Sequence, residues 1–260
     1  MGIHRGLMPH PLVGAVPQRI RSWISYYTPD RALTMRDVER IRRSIVADMD
    51  PMYALQLSSA WEERSNRLIS KADFDQRTLV AILRAVYLGL HREQQRLSVL
   101  DIGSGAGFFV AVAKHLHHQC IGCDLPVAAL SSTTAATYEL CQRAFRCFDE
   151  RIELVVSPCK PLAIGRRFDL ITAGLICFNE YPSGATWGRT EWEYFLQDIR
   201  PHLSPNGRLF LEFNEHRHYG RLRWYDQPTL EMFKSVGLVQ GNKFIYTAEA
   251  SPGESRVASC

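Results

Sequence analysis

The sequence predicts an α/β fold, a doubly wound and mostly parallel sheet with an N-terminal helical extension. Three observations predict it. Residues 1–96 have no strand candidates, and from Thr34 onward they carry helical apolar spacing. From Leu97 onward, short apolar segments alternate with helical ones, as parallel strands joined by crossover helices do. The first of those segments runs straight into a glycine-rich turn, Gly103-Ser104-Gly105-Ala106-Gly107, which opens a helix.

Composition fits a globular chain. Of 260 residues, 46% are hydrophobic and 22% charged, so roughly three quarters of the unfolded surface is expected to be buried without disulfide staples. The seven cysteines are scattered and odd in number, which argues against a secreted disulfide framework and for reduced thiols in a cytoplasmic setting. A formal charge of +4 is too mild to indicate nucleic acid, although it does not exclude it. No apolar run spans a bilayer. Pro9, Pro11 and Pro17 break the apolar stretch a secretory signal needs. With no acid before Asp30, the start reads as a flexible basic arm, with an organelle-targeting segment as the alternative.

The elements follow in order. Thr34 and Asp37 resemble a helix-capping arrangement, and Val38, Ile41, Ile45 and Met49 repeat at helical spacing. Asp50-Pro51 starts a second helix through Met52, Leu55, Leu57 and Trp61, and a third runs from Phe74 through Leu79, Ile82, Leu83, Val86 and Leu90. Strands are expected at Leu97–Asp101, Cys120–Asp124, Arg151–Val156, Phe168–Ala173 and Arg208–Phe213, the last after a Ser204–Gly207 turn, with further strand residues at Val239 and Lys243–Thr247. Helices are expected at Phe108–His117, Ala128–Phe145, Glu191–Leu203 and Thr229–Val236, the last ending on Gly237 as a C-cap. The chain therefore divides into an arm and helical extension (1–96), an alternating domain (97–250) and a tail (251–260).

The segment Asp101-Ile102-Gly103-Ser104-Gly105-Ala106-Gly107-Phe108 carries the chemistry. Glycines let backbone approach a ligand, which by itself says only that a nucleotide-like ligand fits. A dinucleotide fingerprint starting at Gly103 needs a glycine where Phe108 stands, and no Gly-Lys-Ser/Thr of a phosphate loop follows. Asp101, just before the turn, suits a cationic ligand and repels pyrophosphate. Asp124, ending the second strand, is placed to accept two ribose hydroxyls.

With these residues the sequence resembles the class I, Rossmann-like, S-adenosylmethionine-dependent methyltransferases, over roughly Leu97 to Thr247. The resemblance implies a seven-stranded sheet whose last strand is antiparallel, and S-adenosyl-L-methionine as cofactor. It implies that Asp101, Gly103, Ser104, Gly105 and Gly107 wrap the methionine end, that Asp124 binds ribose, that Leu125 packs on adenine, and that Gly174 and Leu175 line the methionine side. The family often has an acid for the adenine amino group after the third strand. This chain has Ser157-Pro158-Cys159-Lys160, so a backbone carbonyl or Ser157 is the expected substitute.

Methyl transfer aligns a nucleophile with the methyl carbon and, for a hydroxyl or amine, removes a proton. After the fourth strand, Cys177–Arg189 has a lid's composition, with Glu180 a candidate base and Tyr181 and Trp187 candidates for stacking on a substrate or for packing on the next helix. After the fifth, Glu212–Tyr225 carries His216 and His218 as candidate bases, with Arg217, Arg221 and Arg223 as anion holders. A solvated loop with Glu212 and Glu215 as local charge partners is the plainer reading. The absence of Asn-Pro-Pro-Tyr after strand four lowers the odds of base methylation. Cys120 and Cys123 lie three apart in a strand and face opposite sides, so no metal is expected there. The expected activity is O-methylation of a small molecule, acidic or sugar-like, with the helical extension covering the mouth of the site. Methylation of RNA or protein, and a non-catalytic cofactor-binding regulatory module, are the alternatives.

Overall fold

The computed structural model describes residues 35–54, 71–176, 178–180, 186–214, 216–218, 221–223 and 225–249, with the backbone alone at residues 35–36, 71–73, 176, 180, 216–218 and 221–223. Helix α1 (Met35–Ala47) buries Val38, Ile41 and Ile45 along one stripe, and Met49 just beyond it. A helical turn follows at 51–54, where the Asp50 carboxylate accepts from the Met52 N–H at 3.0 Å. Met52 is exposed rather than core, because the turn packs through Tyr53 and Ala54. Leu55, Leu57 and Trp61 lie outside the described residues. Helix α2 (Lys71–Tyr87) buries Phe74, Ile82, Leu83 and Val86 and stops before Leu90, which follows left-handed Gly89 into a 3-10 turn.

Seven strands form one sheet: β1 (Ser98–Ile102), β2 (Gln119–Asp124), β3 (Arg151–Glu153), β4 (Phe168–Ile176), β5 (Leu203–Phe213), then β8 (Leu238–Gln240) and β9 (Lys243–Thr247). Their order is β3-β2-β1-β4-β5-β9-β8. The first five are parallel, and β9 inserts antiparallel between β5 and β8. The central strands β1, β4 and β5 are largely buried on both faces and so read as near-continuous apolar runs, while the edge strands β3 and β8 are mostly exposed. Val99, Leu170 and Phe210 enter one core with α1, α2, α3 (Phe108–His115) and α4 (Ser132–Ala144). Leu100, Ile171 and Leu211 enter the other with α5 (Arg189–Ile199) and α6 (Gln227–Val236). Cys120 belongs to the first core and Cys123 to the second, so the pair does face opposite sides.

Three local expectations need correction or refinement. Residues 204–207 are no separate turn but part of β5, taken up as an irregularity in its pairing with β4, with Asn206 at φ 63°. Gly237 caps α6 as expected, its N–H donating to the Phe233 carbonyl at 2.9 Å. Its backbone is extended, and a side chain is excluded because a Cβ would come within 2.4 Å of the Ile245 carbonyl. The segment after β5 is not a plain loop, since β6 (His216–His218) pairs antiparallel with β7 (Arg221–Arg223).

Candidate cofactor site

Ligands of open α/β sheets sit beyond the carboxyl ends of the strands. A cavity of about 650 Å³ lies there, bounded by the ends of β1, β2 and β4, the glycine turn, Leu130 and Tyr138 near α4, and Gln76, Arg77, Val80, Ala81 and Arg84 of α2. A second cavity, about 690 Å³, sits at the opposite end, among Arg167, Arg200, Ser204 and Tyr246, where β4 and β5 begin. The first has the volume of a small-molecule site and the charged groups the sequence singles out.

The turn takes its shape from three left-handed glycines, Gly103 at φ 72°, Gly105 at 53° and Gly107 at 81°. Its N–H groups are mostly spent inside the protein. Those of Gly103 and Ser104 donate to the Cys123 carbonyl at 2.8 and 3.0 Å, and that of Gly107 to Ser104 at 2.9 Å. The Gly105 N–H donates to Asp124 Oδ2 at 2.6 Å, while Asp124 Oδ1 accepts from the Leu125 N–H at 2.7 Å. A phosphate loop instead keeps its N–H groups pointed at the ligand. This turn brings a ligand close to bare backbone without offering a nest for phosphate, and Asp124 holds the turn besides facing the cavity.

Asp101 is 3% exposed and accepts from the Thr172 hydroxyl at 2.7 Å. Burial lifts its carboxyl to about 6, against the lowering pull of Arg84 and of the Thr172 bond. Gly174 and the left-handed Leu175, at φ 53°, end β4 on the cavity, and Asn214 Nδ2 holds the Leu175 carbonyl at 3.0 Å. A non-glycine residue in that conformation stores roughly 1–3 kcal/mol of strain, which the surrounding bonds must hold.

Sequence reasoning missed Arg84. Its Nε and Nη2 both donate to Glu212 Oε2, at 3.0 and 2.8 Å, and the two side chains are 8% and 3% exposed. Glu212 is thus a buried strand residue, not a charge partner in a solvated loop. Lys243 pairs with it across β5 and β9 and is itself 2% exposed. Burial pushes Glu212 up to about 7, opposed by Lys243, and Lys243 down to about 8, opposed by Glu212. The signal was present, since Arg84 is the one charge within Leu79–Val86.

The other expected residues divide. Asp101, Gly103, Ser104, Gly105, Asp124, Leu125, Gly174 and Leu175 line the cavity. Gly107 starts α3 behind the turn, where a Cβ would come within 2.8 Å of Cys147 Sγ. Ser157, after β3, is not among the lining residues. Trp187 is buried edge-to-face on Trp192 of α5, at 5.0 Å between centroids, so it packs the helix rather than a substrate. Tyr181 lies outside the described residues, as do the side chains of Glu180, His216, His218, Arg217, Arg221 and Arg223. The backbone sets Glu180 in a short 3-10 turn after β4, and both histidines on β6 just after β5.

Five parallel strands in the order 3-2-1-4-5, an antiparallel strand inserted beside the fifth, and an acid before the glycine turn now stand together. This is the α/β sheet, with its last strand antiparallel, that the resemblance to the class I methyltransferases implies. No family model matches the chain, and no curated protein does. Solved structures do match. The glycopeptide N-methyltransferase MtfA is 17% identical over 54% of this chain and 55% of that one, with a TM-score of 0.37. This chain therefore spans little more than half the length of that MtfA chain. The PH0226 protein from Pyrococcus horikoshii OT3 is 13% identical over 72% and 94%, with a TM-score of 0.46. A ribosomal protein L11 methylase from Lactobacillus delbrueckii subsp. bulgaricus is 17% identical over 68% and 79%, with a TM-score of 0.38.

Proposed function

We propose that the chain binds S-adenosyl-L-methionine in the 650 Å³ cavity and methylates a hydroxyl of a small molecule, acidic or sugar-like. One observation carries the cofactor reading. Asp101, Asp124, Gly174 and a glycine turn with no phosphate nest converge on one cavity. The donor set fits the group. The buried Asp101 carboxylate suits an ammonium, Asp124 suits two ribose hydroxyls, and Leu125, Leu130 and Tyr138 offer a less polar end for adenine. When bound, the cofactor supplies an electrophilic methyl on its sulfonium.

The chain's part is orientation, desolvation and proton removal. Helix α2 walls the cavity from one side and so shields that side of a bound cofactor from water. His216, His218 and Glu180 are the proposed bases, being among the titratable residues that follow β5 and β4 at the sheet's carboxyl edge. Arg217, Arg221 and Arg223 of the same hairpin are proposed to hold an anionic group of the substrate. That hairpin supports the acidic-substrate reading, and the lack of a phosphate nest in the cavity says nothing against it.

Incubation with methyl-labelled cofactor and a panel of hydroxylated metabolites tests the activity. Label in a small acidic or sugar-like product supports the reading, and label confined to RNA or protein overturns the substrate class. Calorimetry with S-adenosylhomocysteine tests the cofactor, using Asp124→Asn beside Asp124→Ala. Asparagine keeps an acceptor for a backbone N–H but loses charge toward the ribose hydroxyls. Both variants are expected to lose affinity, and equal binding by Asp124→Ala and wild type counts against the site.

A further inference from the structure

We infer that Arg84, carried by the helical extension, is the group that receives the carboxylate at the cofactor's amino-acid end. The inference rests on the cofactor reading above and assigns a residue to the carboxylate of the end that the glycine turn is expected to wrap.

Three observations lead to it. The first is position. Arg84 lines the same cavity as Asp101, Gly103 and Gly174, although it comes from α2 on the far side of β1 in sequence. The second is the slot made for it. A Cβ on Gly174 would fall 2.0 Å from Arg84 Cζ and 2.1 and 2.2 Å from its two Nη atoms. The end of β4 must be bare for the guanidinium to lie against it. The third is cost. Arg84 interrupts an otherwise uncharged stretch, Leu79–Val86, and burial disfavours its charged form. A buried ion pair is seldom a net gain over well-packed apolar residues, so stability alone does not explain Arg84 and Glu212.

Charge complementarity explains them. Asp101 and Arg84 set one buried anion and one buried cation on the same cavity. A zwitterionic α-amino acid carries the matching pair, an ammonium and a carboxylate. Glu212 orients the fork, because its Oε2 accepts from Nε and Nη2 on one edge of a guanidinium that has five N–H donors. Lys243 offsets the charge of Glu212 from the opposite strand, so the pair does not cancel Arg84 toward the cavity. The same helix is pinned nearby, where Tyr87 Oη donates to Gln240 at 2.7 Å and Lys243 Nζ sits 4.7 Å from the Tyr87 ring centre. The extension is then part of the cofactor site and not only a cover over the substrate mouth.

The test is calorimetric titration of the full chain with three ligands. They are S-adenosylhomocysteine, its carboxamide analogue, and 5′-methylthioadenosine, which lacks the amino-acid end. Wild type is expected to lose about 10–100-fold in affinity from acid to carboxamide, the range of a charge-assisted pair converted at tenfold per 1.4 kcal/mol. Arg84→Met is expected to lose the same factor for S-adenosylhomocysteine, to bind methylthioadenosine as wild type does, and not to distinguish acid from carboxamide. Equal losses for all three ligands, or wild-type binding of the acid by Arg84→Met, would make Arg84 a structural residue and overturn the inference. Should Arg84→Met not fold, the wild-type ligand series decides, and equal affinity for acid and carboxamide overturns the inference. Wild type that binds methylthioadenosine but shows no preference for the acid leaves the cofactor reading standing without Arg84. Wild type that binds none of the three overturns both.

Discussion

Replacing Asp101 with Asn should make the ligand-free protein more stable, and increasingly so as pH rises. The carboxyl is 3% exposed, and burial lifts it from an ordinary 3.8 to about 6 despite Arg84 and the Thr172 bond. Between those values the unfolded chain has released the proton while the folded chain still holds it. Stability of the wild type therefore falls as pH rises from about 4, and the loss is complete a little above pH 6. At 1.36 kcal/mol per unit the loss is about 3 kcal/mol at pH 7 and about 0.5 kcal/mol at pH 4. Asparagine keeps an oxygen to accept from Thr172 at the 2.7 Å position and has no charge to desolvate. Changed packing adds an offset, but that offset does not move with pH. Urea unfolding of both proteins at pH 4, 5.5 and 7 should thus show the gap widening by about 2 kcal/mol in favour of Asp101→Asn. A gap that is flat or narrows with pH would mean that Asp101 ionises as an ordinary carboxyl, and the account of a buried anion kept for a cationic ligand would fail. The same variant should bind S-adenosylhomocysteine more weakly, a trade of function for stability.

Gly174→Ala places a Cβ 2.0 Å from Arg84 Cζ and should expel the guanidinium from Glu212, at a cost of about 3–5 kcal/mol in urea midpoint analysis. The double variant with Arg84→Met should recover much of that, and strict additivity would count against the contact. Gly107→Ala combines φ 81° with a Cβ 2.8 Å from Cys147 Sγ and 3.2 Å from Gln142 Cγ. It should lose about 1–3 kcal/mol, and an unchanged unfolding midpoint would refute the packing of the turn on α4. Burial pushes Cys141 and Cys147 up to about 12, and Cys120 and Cys123 are likewise raised, whereas Cys159 is exposed. Iodoacetamide at pH 8 with peptide mapping should modify Cys159 in the native protein and those four only in urea, and native labelling of any of the four would contradict their burial.

Much of the cofactor side was legible in sequence because local chemistry writes it there. A strand that ends in Asp101 and opens three left-handed glycines can be read from a few adjacent residues, since no other residue takes that conformation so cheaply. Asp124 was legible for the same reason, as the acid closing the next apolar segment. The alternation of strands and helices, and the stripe Val38–Ile41–Ile45–Met49, followed from period alone. Element ends did not. Residues 204–207 carry turn-like composition, yet they fall inside β5 as an irregularity where the register with β4 jumps from Leu203 to Arg208, and Gly237 caps α6 with an extended backbone where Ile245 leaves no room for a side chain.

Arg84 marks the other limit. Beyond its being the one charge within Leu79–Val86, nothing near it in sequence speaks of a ligand, and its ion-pair partner Glu212 lies 128 positions away. Only the folding of α2 across the carboxyl edge of the sheet puts a guanidinium over Gly174 and opposite Asp101. The same holds for Trp187, whose aromatic ring suited a substrate in sequence until packing on Trp192 claimed it. The sequence alone determined the layered fold and the turn, because propensity, period and glycine conformations act over a few residues. The tertiary structure decided which charges share the cavity, because the energy of a buried charge depends on neighbours that the chain brings together only when it folds.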